Sequence, residues 1–171
     1  MDHNFSEFEQ KILYGITEER WLELAAELIK AGQPRACDPL DPDLPGGEEE
    51  AIAMLISGKL EALGMDVKRY ESVPHRPNVV GILKGKGMGP VLMMNDHMDT
   101  YPVVEPQKWN KTNYKPFEAT RDGDLLYARG SSDTRGNLAC TILAAQALVE
   151  NGIKLKGDLM YCFCVDEERD G

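Results

Sequence analysis

Apolar residues recur along the chain at two different periods, and the change between them falls near Met65. Before it the spacing is helical. Phe8, Ile12 and Ile16 stand four apart in a short amphipathic segment over 4–16. Thr17 followed by Glu18 and Glu19 reads as a helix start with acids in its first turn. Trp21, Leu22, Ala25, Leu28 and Ile29 then make one apolar stripe that ends at Gly32. Residues 33–47 carry Pro34, Pro39, Pro42, Pro45, Gly46 and Gly47, which is loop composition. From Glu48 to Leu63 the helical period returns through Ile52, Leu55, Ile56, Leu60 and Leu63, and Gly64 is placed to supply a left-handed cap.

After Met65 the period is that of strands. Asp66 to Ser72 alternates as an edge strand does, while Asn78–Lys84 and Val91–Asn95 are fuller apolar runs, the mark of a sheet covered on both faces. The glycine-rich segment 85–90 between them fails as a phosphate loop. Pro90 stands where the dinucleotide fingerprint needs its third glycine, and no Gly-Lys-Ser/Thr follows, so the segment reads as a tight connection. Residues 98–117 are long, irregular and polar, with Pro102, Pro106, Trp109 and Pro116, and loops of that length are usually functional. Arg121-Asp122-Gly123-Asp124 signals a hairpin. A helix follows from Asp133 with the stripe Leu138, Ile142, Ala145, Leu148 and Val149, and Gly157–Val165 reads as a central strand ended by Asp166-Glu167-Glu168. Helices alternating with buried strands predict an α/β domain, a mixed, mainly parallel sheet flanked by helices, with its site at strand ends.

Composition narrows the function. The 171 residues suffice for one domain with one core, and 42% apolar with 28% charged residues describes a globular protein. Twenty-nine acids against nineteen bases leave a formal charge of −10, which argues against nucleic acid or an anionic membrane as partner and suits cations. The acidic first thirty residues lack a signal-peptide pattern, and no apolar run approaches a membrane span. Cys37, Cys140, Cys162 and Cys164 form neither Cys-x-x-Cys nor a disulfide framework, so they read as reduced, mostly buried thiols of a cytoplasmic protein, with Cys162 and Cys164 in the core.

The candidate chemistry sits at three chain positions. Asp96-His97-Met98-Asp99 closes the run Val91–Met94, and a period of two puts His97 and Asp99 on one side of the backbone. Asp133 introduces a helix, and Glu167-Glu168 closes another apolar strand. Each has a bland competitor: an N-cap for Asp133, a surface turn pair for His97 and Asp99, solvated charge for the two glutamates. Together they offer an imidazole and carboxylates able to hold a metal ion. His75, between Pro74 and Pro77, reads as a loop histidine, and His3 is terminal.

The order His97-x-Asp99, then Tyr-Ala-Arg-Gly-Ser-Ser-Asp133-Thr-Arg-Gly136, then Asp-Glu167-Glu168 resembles the co-catalytic zinc family of succinyl-diaminopimelate desuccinylase, acetylornithine deacetylase, aminoacylase and glutamate carboxypeptidase. The resemblance runs from Glu48 to Gly171 and includes Trp109 and Pro116-Phe117. It implies His97 as ligand of one zinc, Asp133 as a carboxylate bridging both, Glu168 as ligand of the second and Glu167 as general base. Asp99 is implied as the acid that hydrogen-bonds the far nitrogen of His97. It further implies two zinc ions per complete site, with cobalt or manganese as substitutes, an N-acyl amino acid or small peptide as substrate, and a homodimer at full length. Asp96 stands where the family commonly has glycine, and Thr100-Tyr101 replaces a pair of valines; either change can shift substrate preference. In this family each zinc takes one further ligand, a carboxylate and a late histidine, and a smaller dimerising domain closes the site. Those parts have no counterpart in 1–171, which is therefore expected to be the N-terminal part of the catalytic domain; the alternative is a truncated, inactive metal-binding or interaction fragment. The related zinc aminopeptidases are a second enzymatic alternative, less favoured by the Arg-Gly-x-x-Asp-x-x-Gly helix start and the loop around Trp109 and Phe117.

Overall fold

Ser6 and Thr17 start the first two helices by local chemistry. In the computed structural model, which describes residues 4–32, 49–103 and 105–169, Ser6 caps α1 (Glu7–Leu13) through a reciprocal box with Glu9. Thr17 Oγ1 accepts from the Arg20 N–H at the start of α2 (Glu18–Ala31). Helix α1 buries nothing. Helix α2 buries Leu24, Ala25, Leu28 and Ile29; of the expected stripe Trp21 and Leu22 are only half-buried, and Leu24, which the stripe does not include, is buried in addition. Helix α3 (Glu50–Ala62) buries Ile52, Ala53, Ile56 and Leu60, and Gly64 takes the left-handed conformation at φ 79°. The proline-rich segment 33–47, Cys37, Glu48 and His3 lie outside the described residues.

The strands are β1 (Asp66–Glu71), β2 (Pro77–Leu83), β3 (Leu92–His97), β4 (Thr120–Asp122), β5 (Leu125–Tyr127) and, after helix α4 (Arg135–Glu150), β6 (Leu159–Cys164). Four of them form a sheet in the order β1-β2-β6-β3, and β4 and β5 form the expected hairpin. The α/β class and the mixed sheet hold. The parallel pairing, expected to predominate, is confined to β3 and β6; β1 with β2 and β2 with β6 are antiparallel. Only five residues separate β1 from β2, too few for the crossover that a parallel pair needs.

The described helices pack on one face of this sheet. Val79, Leu159, Tyr161 and Phe163 face them and are buried with Leu28, Ile56, Leu60, Leu138 and Ile142. Each large side chain so buried contributes about 1.5–3 kcal/mol of transfer free energy. Tyr161 keeps its polar end satisfied by donating to the Thr141 carbonyl at 2.7 Å, and burial pushes its hydroxyl up to about 12. Helices α2 and α4 are joined by Trp21 Nε1 donating to the Gly136 carbonyl at 3.1 Å and by a two-pronged Arg20–Glu150 pair at 3.0 and 2.7 Å.

Two burial expectations fail for one reason, the period of two. Cys162 and Cys164 alternate with Tyr161 and Phe163, so they fall on the sheet's other face and are half-buried, and Cys140 is exposed; these three thiols are free but not core. Val91, Leu92, Met93 and Met94 are exposed, because β3 is an edge strand with β6 as its one neighbour among the described residues. No helix among the described residues is long and apolar enough to cross a membrane.

Candidate metal centre

The carboxyl ends of the two parallel strands lie side by side, with His97 opposite Cys164, and the site forms just beyond them. Met98 turns into the core while His97 and Asp99 turn the other way, as alternation requires, and both are buried. Asp133 arrives from the loop ahead of α4. Thr134 is the N-cap residue, so the carboxylate of Asp133 is not used as a cap and stands 70% exposed. Gly136 permits this tight helix start, since a Cβ there would collide with the Ser131 carbonyl. The Asp133–Thr134 peptide is cis.

Glu167 and Glu168, expected at the end of an apolar strand, stand instead on a 3-10 turn over Glu167–Arg169, because Asp166 adopts φ 72° and takes the chain out of the sheet. Glu168 Oε1 accepts from the Tyr101 N–H at 2.9 Å, and the Glu168 N–H donates to Asp99 Oδ2 at 3.1 Å. Glu167 Oε2 lies 3.6 Å from His97 Nε2.

The result is one imidazole and two carboxylates, from His97, Asp133 and Glu168, each with a ligand atom within 4.8 Å of the others. His97 Nε2 is 3.1 Å from Asp133 Oδ1. Its other nitrogen, Nδ1, is 3.3 Å from Asp99 Oδ1, close enough for an ion pair but out of line for a hydrogen bond. Burial disfavours the charged form of His97, yet Asp99, Glu167 and Asp133 together outweigh it and hold the imidazolium above its ordinary range. An ion of charge +2 is the other way to satisfy this acid cluster, and the donor set fits zinc. Five of five residues expected here are therefore brought together: His97, Asp99, Asp133, Glu167 and Glu168.

Several supporting residues have no role assigned from the sequence, although Asp96 and Arg135 lie within its quoted motifs. Asp96 accepts from the His97 N–H at 2.9 Å and the Thr134 hydroxyl at 2.7 Å, which ties the end of β3 to the start of α4. Arg135 is fully buried and donates to the carbonyls of Ile29 at 3.3 Å and Met98 at 3.2 Å; burial lowers its guanidinium to about 10. Asn78 Oδ1 accepts from the Val165 N–H at 3.0 Å. Asp96 was noticeable as a departure from the family pattern, but nothing local in sequence pointed to Asn78.

Comparison with known proteins finds likenesses of sequence and of fold. Residues 93–171 match Peptidase family M20/M25/M40. The chain is 33% identical over 153 residues to N-formyl-4-amino-5-aminomethyl-2-methylpyrimidine deformylase of Bacillus subtilis, covering 88% of this chain and 33% of that protein. It is 30% identical over 127 residues to succinyl-diaminopimelate desuccinylase of Leptothrix cholodnii, covering 71% and 32%. Among solved structures, human carnosine dipeptidase 1 superposes with TM-score 0.72 at 17% identity, over 93% of this chain and 34% of that one, a likeness of fold. A Staphylococcus aureus tripeptidase gives 0.66 at 25% identity, over 90% and 38%. The chain spans about a third of the length of the curated relatives it matches.

Proposed function

We propose that the chain, which matches Peptidase family M20/M25/M40 over residues 93–171, forms part of a zinc-dependent hydrolase cleaving the amide bond of an N-acyl amino acid or small peptide. The observation that supports this most is the convergence of His97, Asp133 and Glu168 within 4.8 Å beside a carboxylate, Glu167, that is outside the ligand set. His97, Asp133 and Glu168 hold the metal. Bound zinc supplies a Lewis acid for the amide carbonyl and lowers the pKa of water. Glu167 takes the proton from the attacking water and passes it to the leaving amine nitrogen. Asp99 holds the ring of His97 from behind and steadies Glu168 through its N–H.

Residues 1–171 are, in this reading, the N-terminal part of the catalytic domain, and the complete cytoplasmic enzyme is a homodimer. The relatives' names, a deformylase, a desuccinylase and dipeptidases, span formyl, succinyl and aminoacyl amides, so the acyl group is open. An inactive metal-binding fragment is the competing reading, favoured by a ligand set of one histidine and two carboxylates shared between two ions. A panel of N-formyl, N-acetyl, N-succinyl and dipeptide substrates separates them, assayed with Zn²⁺, Co²⁺ or Mn²⁺ on the 171-residue chain and on any longer product of its reading frame. Metal-dependent turnover by the longer product alone is expected. Turnover indifferent to chelation would overturn the assignment.

A further inference from the structure

Asp166 is a non-glycine residue in left-handed backbone, immediately before both site glutamates, and such a conformation persists only where its surroundings hold it. Two residues at the entry of β2 do so. Asn78 Oδ1 accepts from the Val165 N–H at 3.0 Å, and Arg76 Nη1 stands 2.9 Å from Asp166 Oδ1. Arg76 is itself fixed by a two-pronged pair with Glu49, Nε to Oε2 at 2.9 Å and Nη2 to Oε1 at 3.0 Å. Arg76 and Glu49 are both nearly out of solvent, and the hydrogen bonds to Glu49, against the opposing burial and with the charges of Glu49 and Asp166, hold the guanidinium well above its usual range. A buried pair of this kind is weak evidence for stability and better evidence for a fixed geometry. Arg76 lies about ninety residues upstream of the glutamates and touches none of the site's ligand atoms among the described contacts, so its influence must pass through Asp166.

We propose that Arg76 is a positioning residue of the metal centre: by gripping Asp166 it fixes the turn that presents Glu167 and Glu168 to His97 and Asp133. The inference rests on the metal-centre reading above. Charge and position make opposite predictions, which is what makes it testable. Replacing Arg76 with glutamine removes a positive charge near a cation site, so an effect of charge alone would tighten zinc binding. Loss of positioning would weaken it, by about tenfold, the scale on which supporting contacts around metal ligands act.

The experiment is zinc titration calorimetry on the 171-residue chain, its Arg76→Gln and Arg76→Lys variants, and Arg76→Gln/Glu49→Gln, which does not leave the buried Glu49 carboxylate unpaired and does not change the net charge, in case the single variant fails to fold. Cobalt(II) absorption in the visible reports the coordination geometry alongside. Weaker zinc binding and an altered cobalt spectrum in Arg76→Gln or the double variant, with partial recovery in Arg76→Lys, are expected. Equal or tighter zinc binding with an unchanged cobalt spectrum in the folded variants overturns the positioning role while leaving the metal centre standing. No zinc or cobalt uptake by the unaltered chain overturns both.

Discussion

Strands β3 and β6 run parallel in register from Leu92 beside Leu159 to His97 beside Cys164, both begin with apolar residues, and both lead to the metal centre. Their environments differ sharply. Tyr161 and Phe163 in β6 are fully buried between β2, β3 and the helices, whereas Leu92 and Met93 in β3 are 61% and 59% exposed. Apolar content therefore fixes that a segment is a strand, and its place in the sheet decides what burial it receives. The site depends on neither. It needs two strand ends held level, and the shared register supplies that from a core strand and an edge strand alike.

The largest break in this comparison is expected from Phe163→Ala, which empties a fully enclosed position and should cost about 3–5 kcal/mol in urea unfolding. Met93→Ser on the neighbouring strand should stay within about 0.5 kcal/mol and reduce self-association by light scattering, since it removes exposed apolar surface from an open edge. Equal losses in the two would make β3 as interior as β6.

Next in size is Glu167→Gln in a catalytically active longer product. It preserves shape but removes the base, so turnover should fall about a hundredfold with metal content unchanged. Parallel loss of metal would instead make Glu167 a ligand and exchange its role with Glu168.

A smaller effect separates the histidine end of β3 from the thiol end of β6. His97 is held more protonated in the folded metal-free chain than its ordinary value of 6.5, burial opposing and the carboxylates Asp99, Glu167 and Asp133 prevailing. A raised folded pKa contributes stability in full below the unfolded value, and that contribution is lost as pH rises through the folded one. The stability advantage of the metal-free chain over His97→Gln should therefore shrink from about pH 6.5 upward, as read by urea unfolding across a pH series. An advantage that grows with pH would contradict the electrostatic account. Cys164, opposite His97, is pushed up to about 11, first by burial and then by Cys162 at 3.9 Å, so it stays protonated across that series.

Much of this was legible because it is local. Thr17 and Gly64 mark helix ends by their own hydrogen bonding and backbone freedom, and alternation alone sends His97 and Asp99 to one side and Met98 to the other. What escaped depends on partners far along the chain. The grip of Arg76 on Asp166 and of Asn78 on Val165 joins residues about ninety apart, and no spacing rule connects them. The exposure of Val91–Met94 follows from strand order, which hydrophobicity does not encode. That two glutamates follow β6 is plain in the sequence, but the left-handed Asp166 and the 3-10 turn that carry them are not visible in an acidic run.

The central claim is that ends of separate elements converge on one metal centre, and calorimetric titration of the 171-residue chain with zinc tests it most directly. Saturable binding is expected for the unaltered chain, weaker than at a site with three or four ligands per ion, and lost in His97→Ala and in Asp133→Ala. Zinc affinity unchanged by both substitutions would contradict the site.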